Sequence, residues 1–309
     1  MRLPILAATL ALTLHAPAQA WTRPGHMVTA AIAYDQLAAK DPAALKRLLA
    51  LAAQHPDRGP FEVAVGRATG EERDRRLFME LARWPDDVRG GAQDHPTWHH
   101  ALRPVSDPRS PPPKAPPPQS AGAANEAFAL NVKVASDPHA PPADRAMAIA
   151  WVFHIAGDIH QPLHTAQLFS GRFPNGDRGG GLQHVRDPKT GEPISLHWFW
   201  DDSVNRDGEP EKAQARARDL TQRYPRAAFP ELGKSPAKAE AFAVWGEESY
   251  RLAAPIAYRA DLVSADSASQ APNLPKAYVD DVTAQAERRL TLAGYRLADV
   301  AQALVAAAD

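Results

Sequence analysis

Histidine and aspartate recur four residues apart at two places in the chain. His154 is followed by Asp158, and His197 is followed by Asp201. On a helix, side chains four residues apart leave the same face, so each pair can offer two ligands to one metal ion. Either pair alone also fits a core histidine beside a surface ion pair. Two such pairs, each beside apolar residues, favour metal binding.

Other histidines and aspartates lie close to tryptophans or to these pairs. Together the candidate ligands are His26, Asp86, His99, His154, Asp158, His164, His197 and Asp201. This set exceeds one tetrahedral site and predicts two or three ions. The chain has no cysteine, so only nitrogen and oxygen ligands remain, which suit zinc and leave other divalent metals open. Clustered metal ions are typical of phosphoester hydrolysis. The pattern leaves open whether Asp87 replaces Asp86.

Helices are predicted to position most of these residues. Apolar residues at three- and four-residue spacing predict helices over residues 27–39 and 71–84, and a helix that begins at Asp144 and carries the first His–Asp pair. Pro162 should end this last helix, because proline lacks an N–H and restricts the residue before it. His164 should therefore enter the site from a turn.

The rest of the chain also favours a mainly α fold. Two further long helices are predicted over residues 236–260 and 276–307, and strand signals are sparse. Residues 104–119 are rich in proline and predict an exposed, extended loop. Residues 170–193 are rich in glycine and predict a turn-rich excursion with room for a short hairpin. Neither segment divides the chain clearly, so one domain is expected over residues 21–309.

The N-terminus has the layout of a secretory signal peptide. A basic start precedes an apolar run over residues 5–14, and Ala18 and Ala20 are the small residues of a cleavage site. We predict a signal peptide over residues 1–20, cleavage after Ala20, and a secreted or periplasmic mature chain that begins at Trp21. The apolar run is too short to span a bilayer, and no stable membrane insertion is expected.

The overall charge excludes a broadly basic nucleic-acid binder. The chain has 35 Lys and Arg against 36 Asp and Glu, a net charge of −1. Cleavage would remove Arg2, leaving 34 against 36, a net charge of −2. A protein that holds nucleic acid mainly by its phosphates needs a basic face. An anionic substrate must therefore be attracted locally, for example by metal ions. No obligate protein partner is indicated.

Six short motifs give the sequence a resemblance to a known family. They are the Gly25–His26 pair, W-x-D-x-x-R from Trp84 to Arg89, the Trp98–His99 pair, H-x-x-G-D-x-x-Q-P-L-H from His154 to His164, G-D-R-G-G from Gly176 to Gly180, and L-H-x-x-W-D from Leu196 to Asp201. With Trp21 as the mature first residue, this combination resembles the S1/P1 nuclease family of zinc-dependent single-strand nucleases and 3′-nucleotidases.

The resemblance implies a helical domain of the zinc phospholipase C and zinc nuclease type with three zinc ions. The first ion would be held by Asp86, His99, His154 and Asp158. The second would be held by the amine and carbonyl oxygen of Trp21 with His26 and Asp158. The third would be held by His164, His197 and Asp201. Asp158 would bridge the first two ions, and Arg89, Asp86 and Asp158 would act in catalysis, with Arg89 against the developing phosphorane charge.

The implied substrates are single-stranded RNA or DNA and 3′-nucleotides, cut at 3′ phosphoester bonds to 5′-phosphorylated products. His100, Gly181 and Phe169 are the substrate-binding candidates. His100 replaces an aromatic residue that can stack on a base in the family, and Gly181 replaces an asparagine. Leu102 stands where fungal members have an acidic residue. The sequence thus matches the metal ligands of the family more fully than its base-binding residues.

Two alternatives remain open at this stage. A zinc phospholipase C of the helical bacterial type shares the three-zinc plan and an N-terminal tryptophan, so the ligand list does not exclude it. A non-catalytic zinc-binding protein of the envelope would also need bound metal but would not turn over substrate. The motifs around Arg89 and Asp177 favour the nuclease.

Overall fold

A computed structural model describes residues 21–117, 120–232 and 239–306, with only the backbone for 239–240. The predicted signal peptide over residues 1–20 lies outside the described residues. So do the last two residues of the predicted proline-rich loop, 118–119, and the ends of the two long C-terminal helices, at 236–238 and 307.

The described chain is mainly helical, as predicted. Its α-helices are α1 Arg23–Lys40, α2 Pro42–Ala52, α3 Arg58–Val65, α4 Gly70–Asp87, α5 Ala124–Ser136, α6 Pro142–Asp158, α7 Leu196–Asp201, α8 Pro210–Arg223, α9 Ala239–Leu252 and α10 Lys276–Ala306. All five predicted helices are present, as α1, α4, α6, α9 and α10. Helix α9 ends earlier than predicted and continues into a π-helical turn, Ala253–Ala257. Helices α2, α3, α5 and α8 were not predicted.

Helix α1 lies at the centre of the core, packed on α4, α8 and α10. Its contact with α10 is close because α10 presents a glycine there. A Cβ on Gly294 would lie 2.7 Å from the Cβ of Ile32, so only glycine lets the two backbones approach this far. Helix α6 is buried over most of its surface, between α4 on one side and α5 on the other. The central position of α6 places its two candidate ligands in the interior.

Four short strands form two small sheets. Strand β1, Arg103–Ser106, pairs in parallel with β2, Ala166–Phe169. Strand β3, His184–Arg186, pairs antiparallel with β4, Pro193–Ser195. The expectation of a loop throughout residues 104–119 was therefore wrong for its first three residues, because β2 supplies a hydrogen-bonding partner distant in sequence. The hairpin was placed correctly, although β4 extends beyond residue 193 and leads directly into α7.

No helix among the described residues is both long and apolar enough to cross a bilayer.

Candidate metal centre

The candidate ligands come from six separate elements that meet around the end of α6. His154 and Asp158 occupy its last turns, and the helix ends at Asp158. The chain then reverses through Gln161 into a short 3₁₀ turn, Pro162–His164, so His164 enters from a turn as predicted. The remaining ligands come from α1 (His26), the last turn of α4 (Asp86), a 3₁₀ turn over Pro96–His99 (His99) and α7 (His197 and Asp201).

These side chains form three groups. Within each group the ligand atoms lie within 4.8 Å of one another. The groups are His26, His154 and Asp158; Asp86, His99 and His154; and His164, His197 and Asp201. Because His154 belongs to the first two, those groups are adjacent. All eight candidate ligands predicted from the sequence are brought together.

Short distances within the groups show how closely the ligand atoms converge. His154 Nε2 lies 2.8 Å from His99 Nδ1 and 3.3 Å from Asp158 Oδ2. His26 Nε2 lies 3.1 Å from Asp158 Oδ1. In the third group, Nε2 of the α7 histidine lies 3.3 Å from Asp201 Oδ2. Such nitrogen–oxygen and nitrogen–nitrogen separations match neighbouring ligands about 2.0–2.2 Å from a shared zinc ion.

Main-chain carbonyls fix the orientation of three of the histidine rings. The Nδ1 atom of His154 is 2.8 Å from the carbonyl oxygen of Ala82, and the Nδ1 atom of His197 is 2.6 Å from that of Gly179. His164 makes the same contact at 2.6 Å, to the carbonyl of another ligand. A ring that donates from Nδ1 presents Nε2 with its lone pair, which is how most metal-binding histidines are oriented.

Many of the ligand atoms are buried without a hydrogen-bond partner in the described residues. They are Nε2 of His26, Oδ2 of Asp86, Oδ1 of Asp158, Nε2 of His164 and Oδ2 of Asp201. Buried polar atoms are nearly always satisfied, so a cluster of exceptions calls for an explanation. Coordination of cations satisfies all of these atoms at once.

The imidazoles are largely held in the neutral form. Burial lowers the pKa of His26 and His164, and lowers that of His99 to about 4. His154 differs: burial acts to lower its pKa, but the charges of Asp158 and Asp86 outweigh it and raise the pKa. Neutral imidazole is the form that binds a metal ion.

The carboxylates are fully buried. Asp86, Asp158 and Asp201 are each 0 % exposed. Burial raises the pKa of Asp201 well above its usual range. Burial acts in the same direction on Asp158, but the neighbouring histidines hold its pKa well below the usual range. Because charged groups buried away from water must be paired or bind metal, three carboxylates facing mostly neutral rings indicate bound cations.

Arg89 lies directly against the second group. Its guanidinium donates from Nη2 to Asp86 Oδ1 at 3.3 Å, and its side chain is 11 % exposed. Asp87 takes no part in a metal group among the described residues; it forms ion pairs with Arg23 and Arg83 instead. The geometry therefore favours Asp86 over Asp87 as the ligand.

Trp21 lies beside the first group. Its indole Nε1 donates to the carbonyl oxygen of Gly157 at 3.0 Å, and the residue is fully buried. The next residue, Thr22, donates its N–H to the carbonyl of Asp201 at 3.2 Å. These contacts tie the start of the described chain to residues on both sides of the centre.

One comparison with known proteins covers nearly the whole described chain. The family model S1/P1 Nuclease matches residues 21–306. The chain belongs to the S1/P1 nuclease family. Members of this family are zinc-dependent hydrolases of ester bonds in nucleic acids. A search of curated proteins finds no match.

The donor set of this S1/P1 nuclease family member fits the zinc that its family requires. Each group offers three nitrogen and oxygen donors without sulfur, which is the composition of catalytic zinc sites that keep one position for water or substrate. All three groups contain residues with an unpaired buried side-chain atom. Phosphodiester hydrolysis by clustered ions is the chemistry that this arrangement can perform.

The substrate-binding candidates differ in their accessibility. His100 is half-buried beside the centre, where burial lowers the pKa of its imidazole to about 3. Gly181 is also half-buried and follows the G-D-R-G-G segment. Phe169 is only 3 % exposed and packs against Gly176. The structure thus argues against Phe169 as a stacking platform, because its buried ring is not open to a base.

Sequence patterns missed the side chains that orient the ligands. Gln161 is fully buried and donates from Nε2 to Asp201 Oδ1 at 2.8 Å. Its place between Asp158 and His164 was the only available signal. His160 lies outside the three groups and bonds to the carbonyl of Ala156 and to Arg296. His55 is a core residue, packed against Phe61 and Trp84.

Proposed function

We propose that the mature protein hydrolyses 3′ phosphoester bonds in single-stranded RNA and DNA to 5′-nucleotides, with 3′-nucleotidase activity, using three zinc ions. The observation that carries the proposal is the set of three adjacent His–Asp groups, each of which contains a buried side-chain atom without a hydrogen-bond partner in the described residues. Family membership supports a nucleic-acid substrate.

The three groups suggest which residues would hold each ion. Asp86, His99 and His154 would hold the first, with Asp158 within reach; His26 and Asp158 would hold the second, with the amine and carbonyl of Trp21; and His164, His197 and Asp201 would hold the third. When bound, zinc supplies Lewis acidity that activates water near neutral pH and neutralises charge on phosphate.

The protein's own groups would bind and orient the phosphate. Arg89 carries a fixed positive charge beside Asp86. A guanidinium offers paired N–H donors that match phosphate oxygens, and one aimed at charge that develops in the transition state lowers the barrier. Asp158, between two histidines, would hold the ligands of the first two ions in register. The carbonyl contacts of His154 and His197 would keep these rings from turning as substrate binds.

Burial of the groups favours single-stranded substrates. The ligands are between 0 and 4 % exposed, so a phosphate must reach well below the surface to meet them. A single strand can splay its backbone and bases to do so, whereas a duplex holds its phosphates on a stiff outer rim.

We also propose export and cleavage after Ala20. Trp21 can offer its amine as a ligand only when no residue precedes it. Its buried position beside the first group supports this role.

One set of assays on the mature chain tests the proposed function. Zinc per chain would be measured by elemental analysis, and hydrolysis would be followed on single-stranded DNA, RNA, 3′-AMP and phosphatidylcholine vesicles. We expect about three zinc ions and turnover of the first three substrates. Turnover of lipid without nucleotide would support a phospholipase C instead.

The variant Arg89→Ala separates an enzyme from a zinc-binding protein. Loss of a group that stabilises transition-state charge should lower kcat by about 10²–10³-fold, while zinc content stays the same. Arg67→Ala is the control, because Arg67 is exposed near the opposite end of α4 from Asp86. Bound zinc without turnover in the wild-type protein would overturn the proposal.

A further inference from the structure

Arg178 has a backbone conformation that is rare for its residue type. Its φ is 58°, the one positive value at a non-glycine position among the described residues. Left-handed backbone crowds the Cβ of an L-residue, and a bulky residue that adopts it must be held there by its surroundings. Such outliers concentrate at functional sites, so the observation calls for a reason.

The residues on both sides of Arg178 explain how the conformation is enforced. Asp177 is fully buried and accepts hydrogen bonds from the Leu168 N–H, Gln183 Nε2 and the Tyr258 hydroxyl, at 2.8, 2.7 and 3.0 Å. On the other side, Gly179 lies so close to Leu163 that a Cβ would be 2.4 Å from its carbonyl oxygen. The backbone cannot relax in either direction without breaking these contacts.

This anchoring places Arg178 next to the third metal group. The carbonyl of Gly179, one residue along the chain, is 2.6 Å from Nδ1 of the ligand His197. A Cβ on Gly180 would lie 3.2 Å from the main-chain nitrogen of the same histidine. Since consecutive Cα atoms are about 3.8 Å apart, the Arg178 backbone lies within two residues of the atoms that orient this ligand.

The side chain of Arg178 is exposed and has no ion pair or hydrogen bond in the described structure. Nearby arginines are neutralised: Arg172 pairs with Asp266, and Arg206 pairs with Asp187 and Asp202. An uncompensated guanidinium carried by the segment next to the third metal group, in a chain with net charge −1, is a local attraction for an anion.

We propose that Arg178 binds a non-scissile phosphate of a single-stranded substrate, on the side of the third metal group. Arg89 and the metal groups would take the scissile phosphate, and Arg178 would take a phosphate further along the strand. Arg178 would therefore set the preference for polynucleotides over 3′-mononucleotides. The inference rests on the proposed function.

The test compares a short single-stranded oligonucleotide with 3′-AMP, a mononucleotide that has only the scissile phosphate. For Arg178→Ala, loss of one charged phosphate contact should raise KM for the oligonucleotide about tenfold. The ratio of kcat/KM for the oligonucleotide to that for 3′-AMP should fall by a similar factor. The slope of log KM against log salt concentration should decrease by about 0.7, the value for one phosphate contact on a single strand.

Three further variants make the result specific. Arg178→Lys keeps the charge without the paired donors and should have an intermediate effect. Arg178→Gly removes the side chain and also relieves the left-handed strain, so it should fold at least as well as the wild type and show the same KM change. Arg67→Ala removes an exposed arginine far from the centre and should change neither the substrate ratio nor the salt slope.

The possible failures can be told apart. If the wild-type protein hydrolyses both substrates and the Arg178 variants behave like Arg67→Ala, the inference is wrong and the proposed function stands. If Arg178→Ala lowers kcat on both substrates equally with KM unchanged, Arg178 acts through the metal ligands and not on a remote phosphate. If the zinc-loaded wild-type protein hydrolyses neither substrate, the proposed function itself fails.

Discussion

The imidazole Nδ1 of His164 lies 2.6 Å from the carbonyl oxygen of His99, to which it donates a hydrogen bond. His99 belongs to the group with Asp86, and His164 belongs to the third group. One buried hydrogen bond therefore links two of the candidate metal groups. His197, the other histidine of the third group, is held instead by the carbonyl of Gly179.

This hydrogen bond predicts that alanine substitutions of the two histidines in the third group differ in how much bound zinc they remove. His197→Ala should remove a ligand of the third ion and leave the other two ions bound. His164→Ala should also release the His99 main chain, and zinc bound elsewhere should then weaken. Elemental analysis after dialysis against a weak chelator measures this difference. Equal zinc loss in the two variants would show that the hydrogen bond does not couple the groups.

Gln161 should hold Asp201 in its ligand orientation. Gln161→Leu keeps the bulk of the side chain but leaves Asp201 Oδ1 without the donor that lies 2.8 Å away. Loss of such a supporting contact lowers metal affinity by about 10–100-fold, and we expect this for one of the zinc ions. Competition with a fluorescent zinc chelator measures it.

Gln302→Leu is the matched control for that substitution. Gln302 makes the same kind of bond, from Nε2 to Asp41 Oδ2 at 2.8 Å, away from the centre. If the two variants bind zinc equally well, Gln161 has no role in positioning the metal ligand.

Gly157 should be required for His26 to enter the first group. A Cβ at position 157 would lie 2.9 Å from His26 Nδ1 and 3.1 Å from its Cε1. Gly157→Ala should therefore displace the ring, reduce zinc content, and destabilise the fold by about 1–3 kcal/mol through overpacking. Gly208→Ala places its Cβ where nothing lies within 4 Å and should change neither quantity. Unchanged zinc content in Gly157→Ala would contradict this account.

The free amine of Trp21 should be part of the metal centre. A chain with one extra residue before Trp21 cannot offer that amine, so its zinc content and its activity should both fall. The control is the same chain after a protease removes the added residue and restores the natural start. Full zinc content and full activity in the extended chain would refute the role of Trp21.

Glu80 should make stability depend on pH independently of the metal ions. Burial raises the pKa of this carboxyl to about 7 from its usual value of 4.5. A raised pKa means that the folded state binds the proton more tightly, so this contribution is full below about pH 4.5 and is lost as pH rises through about 7.

The variant Glu80→Gln should remove that dependence. Its free energy of unfolding relative to the wild type should increase by about 3 kcal/mol between about pH 4.5 and pH 8, which corresponds to the size of the pKa shift. Chemical denaturation of both proteins at a series of pH values, with the same zinc content, measures it. Parallel pH profiles would show that Glu80 ionises normally.

The sequence by itself determined the ligand types and the helices that carry them. The spacing of His154 and Asp158 predicts one helical face, and Pro162 predicts the turn that delivers His164, because both depend on local backbone geometry. The amphipathic patterns of α1, α4 and α10 are local for the same reason. The family motifs add the grouping of ligands, which no local rule provides.

Only the tertiary structure decided which atoms converge and what holds them. Strand β1 forms because β2 lies beside it, although a proline-rich sequence suggested a loop. The choice of Asp86 over Asp87 follows from the ion pair between Asp87 and Arg23, which lies on another helix. Nothing in the sequence distinguishes the main-chain carbonyls of Ala82, His99 and Gly179 from those of other residues. Their roles arise from contacts between residues far apart in the chain, and such contacts exist only once the core has packed.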